Sequence, residues 1–288
     1  MNRRRGPIAL TAAGALPLAG CEPGVLNPAG AVAGSEKLIL LDSLAIMLAL
    51  VVPVIIATLA FAWWFRAGNV RAKRRPDWAY SGRLELLVWS VPALIVIFVA
   101  GLGWVGSHQL DPARPLAGAA PLRVEVVAFD WKWLFIYPDQ GVASVNRLVV
   151  PVGRPLALRL TSTSVMNSFF VPRLGSQIYA MAGMETRLNL RADVPGSYRG
   201  LSANYSGKGF PGMAFTLDAV PPAAFDTWAA DARKGGPILD GHGYAALLRD
   251  SENVAPYTYR AVAPHAFDAI VKQSGTPLAR TATDGRAH

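Results

Sequence analysis

The stretch SLAIMLALVVPVIIATLAFAWWF, residues 43–65, contains 23 consecutive residues without a charge. As an α-helix it would extend about 34 Å, which exceeds the roughly 30 Å thickness of a bilayer hydrocarbon core. A second uncharged stretch of 22 residues, LLVWSVPALIVIFVAGLGWVGS, covers residues 86–107. Each contains a proline, which membrane helices tolerate. The sequence therefore predicts two transmembrane helices. A buried two-helix core is the alternative, and the length of both uncharged stretches disfavours it.

The loop between these stretches, residues 66–83, carries six basic residues and one acidic residue, Asp77. It thus contributes +5 (six minus one) to the formal net charge of +9. The positive-inside rule places such a loop in the cytoplasm, so both ends of the hairpin would face outward. The short leader carries a further +3, whereas the long stretch 107–288 carries only +4 (18 basic minus 14 acidic), so the basic composition fits membrane topology. It disfavours binding to nucleic acid.

The leader MNRRRGPIALTAAGALPLAGC, residues 1–21, has a basic start, an apolar stretch and small residues before Cys21, the only cysteine of the chain. These are features of a secretory signal. The leader resembles the bacterial lipoprotein signal, which implies cleavage after residue 20 and a lipid on Cys21. An ordinary signal peptide with an incidental cysteine is the alternative. Lipidation would leave the chain no free thiol and would anchor it to the outer face of a bacterial inner membrane.

From about residue 120 the pattern changes to short apolar runs separated by Pro, Gly and Asn. In ETRLNLRA, residues 185–192, apolar and polar side chains alternate as in a half-buried strand. Seven or more such runs in about 100 residues predict a small all-β sandwich or barrel. The runs are LRVEVVA, WKWLFIY, RLVV, PLALRLTS, ETRLNLRA, GSYRGLSANY and MAFTLDAV.

After Pro221 the chain becomes more polar, and two segments show helical spacing of apolar residues. PPAAFDTWAADARK places Phe225 and Trp228 on one face, and HAFDAIVKQSG does the same with Phe267 and Ile270. The predicted organisation is a signal peptide (1–20), an exported segment (21–41), a transmembrane hairpin (42–107) with its cytoplasmic loop (66–83), a β domain (108–220) and a helical C-terminal extension with a tail (221–288).

Three segments of this chain carry a resemblance to a known family: FDWKWLFIYP (129–138), TSTSVMNSFFVPRLGSQIYAMAGM (161–184) and GLSANYSGKGFPGM (200–213). Together with the signal, hairpin and β domain, they resemble subunit II of the haem–copper respiratory oxidases. The resemblance covers nearly the whole chain. It implies that the β domain is a cupredoxin-like Greek-key domain on the periplasmic side of the membrane.

In the family branch that oxidises cytochrome c, this domain holds a binuclear copper centre. Its ligands are a histidine before an S-F-x-V-P strand and a C-x-E-x-C-x-x-x-H-x-x-M loop. Soft sulfur and imidazole ligands suit copper, whereas neutral hydroxyls and amides bind it poorly. A lone methionine is usually packing. The resemblance therefore implies that no metal is bound here. The matching positions in this chain are Asn167, Ser202, Asn204, Ser206, Phe210 and Met213.

The spacing of the loop is kept while its ligands are replaced. In this the chain resembles the quinol-oxidising branch of the family, subunit II of cytochrome bo-type ubiquinol oxidases. In that branch, electrons pass from a membrane-dissolved quinol to haem and copper in subunit I. The resemblance implies no cofactor in this chain and a β domain that caps subunit I. The expected partners are subunit I and smaller membrane subunits in a hetero-oligomer, membrane lipid, and ubiquinol as the substrate of the complex.

The aromatic stretch Asp130-Trp131-Lys132-Trp133 corresponds to a region that helps electrons enter copper in the cytochrome c branch. Without an acceptor beneath them, Trp131 and Trp133 are expected to pack on a strand. We expect Lys132 to present a positive charge where the basic cytochrome c would prefer acidic residues. Cytochrome c is therefore not an expected partner.

Glu85 immediately precedes the second uncharged stretch, at its predicted cytoplasmic end. In the oxidase family a glutamate at this position sits at the mouth of a proton channel used by subunit I, so the resemblance implies a role in proton uptake. An acid at a helix N-terminus, stabilised by the helix dipole, is the purely structural alternative.

Two other functions fit parts of the sequence. One is a metal-free β-domain lipoprotein that serves as a scaffold or assembly factor, because composition and topology fit it equally well. The other is a cytochrome c oxidase subunit II, against which the missing thiols and imidazoles argue.

Overall fold

The structure is a computed structural model that describes residues 24–73 and 75–275. The signal peptide, Cys21, Arg74 and the chain after residue 275 lie outside the described residues. The remainder contains the predicted hairpin, the β domain and most of the C-terminal extension.

Two long apolar helices form the hairpin: α1 (Ala31–Trp64) and α2 (Gly82–Gln109). Both are long and apolar enough to cross a membrane, and their apolar windows are not buried inside the protein. The helices approach closely at Gly106, where an added Cβ would lie 2.7 Å from the Cδ1 atom of Ile39. The predicted membrane hairpin is confirmed, and the buried two-helix core is excluded by this exposure.

Helix α1 begins at Ala31, within the segment 21–41 that the sequence separates from the hairpin. Its first turn lies on the β domain. The backbone N–H of Ala33, which has no partner within the helix, donates to the carbonyl of Leu174 at 3.2 Å. Ala29 pairs with the domain twice, through its N–H to Arg173 (2.7 Å) and its carbonyl to Asp193 (2.8 Å). The domain thus supplies the partners that allow the helix to start early.

The β domain contains ten strands in two sheets that share one core. The strands are β1 (Leu122–Phe129), β2 (Lys132–Tyr137), β3 (Val142–Val145), β4 (Arg147–Pro151), β5 (Leu156–Ser162), β6 (Asn167–Phe170), β7 (Ile178–Ala180), β8 (Thr186–Leu190), β9 (Gly196–Ser202) and β10 (Ala214–Val220). One sheet has the order β3-β2-β1-β5-β8 and the other β4-β10-β9-β6-β7. The predicted all-β, cupredoxin-like fold is confirmed.

Aromatic rings from both sheets fill the centre of this core. Phe169 stacks on Phe215 with ring centroids 5.0 Å apart, and the edge of Trp133 meets both rings at 5.5 and 5.7 Å. All three side chains are buried, and Trp133 is fully so. Trp133 therefore has the packing role that the sequence predicts.

The C-terminal extension is an integral part of the domain. It comprises α3 (Pro222–Lys234), β11 (Ile238–Leu239), α4 (Gly241–Leu247), β12 (Tyr257–Tyr259), β13 (Ala261–Val262) and α5 (Ala266–Gly275). The two predicted helices correspond to α3 and α5. The extension also contains strands that the helical pattern does not predict, and β12 pairs with β3 as the sixth strand of the first sheet.

An ion cluster fastens α5 to the outer face of the first sheet. The guanidinium of Arg159 pairs with Glu125, Glu185 and Asp268 at 2.7–2.8 Å. It also stacks on the ring of Phe267 at 4.7 Å. Hydrogen bonds to carboxylates, above all Glu185, raise the pKa of Arg159, and its charge therefore persists at every physiological pH.

Candidate functional site

The loop 200–213 comprises the last three residues of β9 and the connection to β10, and backbone hydrogen bonds close it at its base. The N–H of Ser202 donates to the carbonyl of Met213 at 3.1 Å. Met213 follows a single 3-10 turn, and its own N–H donates to the carbonyl of Phe210 at 3.1 Å. These bonds bring the two ends of the loop together without any ligand.

Asn167 and Ser202 come together at the base of the loop. The hydroxyl of Ser202 lies 3.2 Å from the side-chain oxygen of Asn167 and 3.3 Å from the carbonyl of Asn204. The amide groups of Asn167 and Asn204 donate to the neighbouring carbonyls of Val165 and Met166, each at 3.1 Å. Asn167 and Ser202 are buried. Three of the predicted positions therefore form one hydrogen-bonded group.

Ser206 and Met213 form a second group beneath Trp131. The Ser206 hydroxyl lies 3.8 Å from the Met213 sulfur, and both side chains are buried. The indole N–H of Trp131 donates to the carbonyl of Ser206 at 2.8 Å. A Cβ at Gly209 would lie 2.4 Å from the indole Cδ2, so only glycine lets the ring lie flat on the loop. Trp131 packs as the sequence predicts, but the prediction that it lies on a strand was wrong: it is in the turn between β1, which ends at Phe129, and β2, which begins at Lys132.

The six positions do not fit a copper pair. Phe210 presents a hydrocarbon ring that packs edge-on against Tyr205 with centroids 5.6 Å apart. The serines and asparagines offer neutral oxygen and nitrogen atoms, whereas copper prefers thiolate and imidazole. Those of Asn167, Ser202 and Asn204 bond to one another or to the backbone, and the hydroxyl of Ser206 contacts the sulfur of Met213. Within residues 24–73 and 75–275, no three His, Cys, Asp or Glu side chains cluster as a metal site.

Lys132 is not a surface cation, and this prediction was wrong. Its side chain is buried, because the extension covers it. The ammonium group donates to the carbonyls of Arg249 (2.7 Å) and Asp130 (3.2 Å) and to the hydroxyl of Ser251 (2.5 Å). Burial lowers the pKa of Lys132. The residue ties two parts of the domain together and offers no charge to a docking protein.

Residues 249–254, here called the clamp segment, cross the domain beside the loop 200–213. Ser251 exchanges two backbone hydrogen bonds with Asp130 and Trp131. Asn146, which sequence reasoning missed, accepts from the backbone N–H of Trp133 and donates to the carbonyl of Val254, at 2.8 and 2.9 Å. Its φ of 54° lies in the left-handed region, in which asparagine is enriched. The residue type is therefore the one sequence signal for the turn between β3 and β4.

Glu85 lies far from this loop, in the first turn of α2. Its side chain is exposed, and its backbone N–H donates to the carbonyl of Ser81 at 3.0 Å. About 36 Å of helix separates it from Gln109, the last residue of α2 before the β domain. The candidate residues therefore form two separate sites at opposite ends of the hairpin, and Cys21 lies outside the described residues.

Comparisons with known proteins match parts of this chain. A sequence model of the family described as cytochrome c oxidase subunit II, periplasmic domain, matches residues 140–220. Among solved structures, the periplasmic domain of subunit II of the cytochrome oxidase of Bradyrhizobium japonicum is 25% identical. That match covers 41% of this chain and 98% of the other, with a TM-score of 0.39.

Two curated relatives align with almost the entire chain. Ubiquinol oxidase subunit 2 of Acetobacter aceti is 46% identical over 275 residues, which cover 94% of this chain and 89% of that protein. Cytochrome bo(3) ubiquinol oxidase subunit 2 of Pseudomonas aeruginosa is 45% identical over 263 residues, covering 91% and 80%. At this identity and coverage, the chain belongs to the subunit 2 family of ubiquinol oxidases.

Proposed function

We propose that this chain is subunit II of a proton-pumping respiratory quinol oxidase and that its β domain serves as a copper-free cap on subunit I. The complex oxidises quinol and reduces oxygen to water. The observation that carries the copper-free role is the loop 200–213, where hydrogen bonds among Asn167, Ser202 and Asn204 occupy the positions that ligands would need. Haem and copper, in this proposal, reside in subunit I, which is joined by smaller membrane subunits.

Localisation follows from the same proposal. The basic loop 66–83 lies in the cytoplasm, and the β domain lies on the periplasmic side of a bacterial inner membrane. The predicted division of the chain at residues 20, 41, 107 and 220 is part of the proposal, with α1 continuing into the second segment. Cys21 carries the lipid anchor. An unmodified Cys21 in the mass spectrum of the mature chain would contradict the anchor.

The test of the electron donor uses the purified complex. We expect oxygen uptake with ubiquinol and none above background with reduced cytochrome c, because this domain offers no acceptor on its outer face. The same sample should contain only the copper of subunit I. Uptake driven by cytochrome c, or copper bound by this chain when purified alone, would overturn the copper-free role. A complex fully active without this chain would instead favour an assembly factor.

Glu85 is proposed to lie at the entrance of a proton channel. Replacing Glu85 with glutamine should slow oxygen uptake roughly tenfold, because a neutral amide cannot take up or release the proton. Assembly should be unchanged, since the side chain is exposed and is in none of the ion pairs found among the described residues. Asp77→Asn, an exposed acid of the adjoining loop, is the matched control and should retain full turnover. If the Glu85→Gln and Asp77→Asn variants consume oxygen at the same rate, the proton-channel role is contradicted and Glu85 has only a structural role at the start of the helix.

A further inference from the structure

An open groove lies at the end of the hairpin opposite the β domain. It has a volume of about 910 Å³. Its basic lining residues are Arg66, Lys73 and Arg75, and its large apolar ones are Phe65, Trp78 and Leu84. We call it the basic groove. Because α1 ends at Trp64 and α2 begins at Gly82, the groove lies at the ends of both candidate membrane-spanning helices, where polar headgroups are expected.

The end of α1 fixes one side of the basic groove. The side-chain amide of Asn69 donates to the carbonyl of Trp64 at 2.6 Å, satisfying one of the last carbonyls of the helix. Arg66 donates to the carbonyl of Trp63 at 2.9 Å and stacks over its ring at 4.7 Å. This bond uses one of the five N–H donors of Arg66. The guanidinium is therefore held in place while its other donors can bind a ligand.

The charge of the basic groove has no counterion within the described residues. Arg66, Lys73 and Arg75 are exposed and take part in none of the ion pairs that residues 24–73 and 75–275 form. The positive-inside rule accounts for the number of cations but not for their position around a concave, aromatic-lined surface. Three cations next to apolar side chains at headgroup depth match a negatively charged amphiphile.

We propose that the basic groove binds the headgroup of an anionic phospholipid. Arg66, Lys73 and Arg75 would surround its phosphates, and Phe65, Trp78 and Leu84 would contact its glycerol and upper acyl carbons. Bidentate contact with phosphate is the geometry that guanidinium groups favour. The inference depends on the hairpin spanning a membrane and not on the electron donor, so it can fail while the proposed function holds.

The test measures lipid binding to the purified full chain in detergent micelles. Diphosphatidylglycerol is titrated, and the bound fraction is read by native mass spectrometry. Removing two lining cations, in the double variant Arg66→Gln with Arg75→Gln, should weaken binding by at least about tenfold. The single variant Lys73→Gln, at an exposed position, should weaken it about threefold, and it provides a second readout if the double variant fails to fold.

The matched control is Arg71→Gln with Arg83→Gln. It removes the same charge from the same loop, but neither residue lines the basic groove. Its binding should stay within about threefold of the unmodified chain. Equal weakening in the two double variants would show diffuse attraction to basic charge and overturn the proposal. Equal affinity for the zwitterionic phosphatidylethanolamine, or unchanged binding in every variant, would overturn it as well.

Discussion

Replacing Phe169 with alanine is expected to lower the free energy of unfolding of the β domain by about 3–5 kcal/mol. The ring is fully buried and is packed by Phe215, 5.0 Å away, and Trp133, 5.5 Å away. These neighbours belong to strands of both sheets, so the core cannot close around the cavity without moving one sheet toward the other. The loss combines the transfer of a large apolar side chain with an unfilled space.

Thermal unfolding of the purified full chain in detergent, monitored by near-ultraviolet circular dichroism, measures this loss. A lowering of the transition temperature by about 10 °C corresponds to it for a domain of this size. The control is Tyr205→Ala, whose ring is 74% exposed at the tip of the loop 200–213 and should cost less than about 1 kcal/mol. Similar shifts for the two variants would show that the aromatic cluster is not the centre of the core.

The second large effect is expected from Lys132→Met. Methionine has a similar length and no donor, so the carbonyls of Asp130 and Arg249 and the hydroxyl of Ser251 lose a charged partner inside the domain. Hydrogen bonds to charged groups contribute about 1.5–3 kcal/mol each, although part of that is offset here by no longer burying the ammonium group. We expect a net loss of about 2–3 kcal/mol that is localised to the clamp segment.

Amide hydrogen exchange distinguishes this local loosening from general destabilisation. Exchange should accelerate in the clamp segment and at β12, while the strands of the second sheet keep their protection. Lys208→Met is the matched control, because Lys208 also pairs with the clamp segment, through Glu252 at 3.3 Å, but its side chain is 85% exposed. An exposed pair contributes about 0–1 kcal/mol, so this control should exchange like the unmodified chain. Uniform acceleration across both sheets in Lys132→Met would contradict a local clamp.

The sequence predicts those helices and strands that have a clear pattern within a single segment of the chain. The two uncharged stretches predict α1 and α2, and the alternation in residues 185–192 predicts β8, in which Leu188 and Leu190 are buried. Strands β3, β6 and β7 were not among the predicted runs. Strand β3 has four consecutive buried residues, β6 has three, and β7 is only three residues long, so none shows an alternating pattern.

Contacts between distant segments explain the remaining differences. Nothing near Lys132 in the chain indicates that it is buried, because the residues that cover it lie more than 100 positions later. The pairing of β12 with β3 has the same origin. The grouping of Asn167 with Ser202 was predicted only through the resemblance to a copper loop, since hydroxyl and amide side chains carry no spacing signal of their own. The roles of Glu85 and Cys21 stay predictions.

The docking of α1 on the β domain has a consequence for biogenesis. Ala29 precedes α1 and Ala33 lies in its first turn, yet their partners Arg173, Leu174 and Asp193 follow the hairpin in the chain. The start of α1 therefore lacks these hydrogen-bond partners until the β domain has been synthesised. Those partners exist only after the chain to about residue 193 has been synthesised. The contact between the start of α1 and the β domain is consequently among the last parts of the described structure to form.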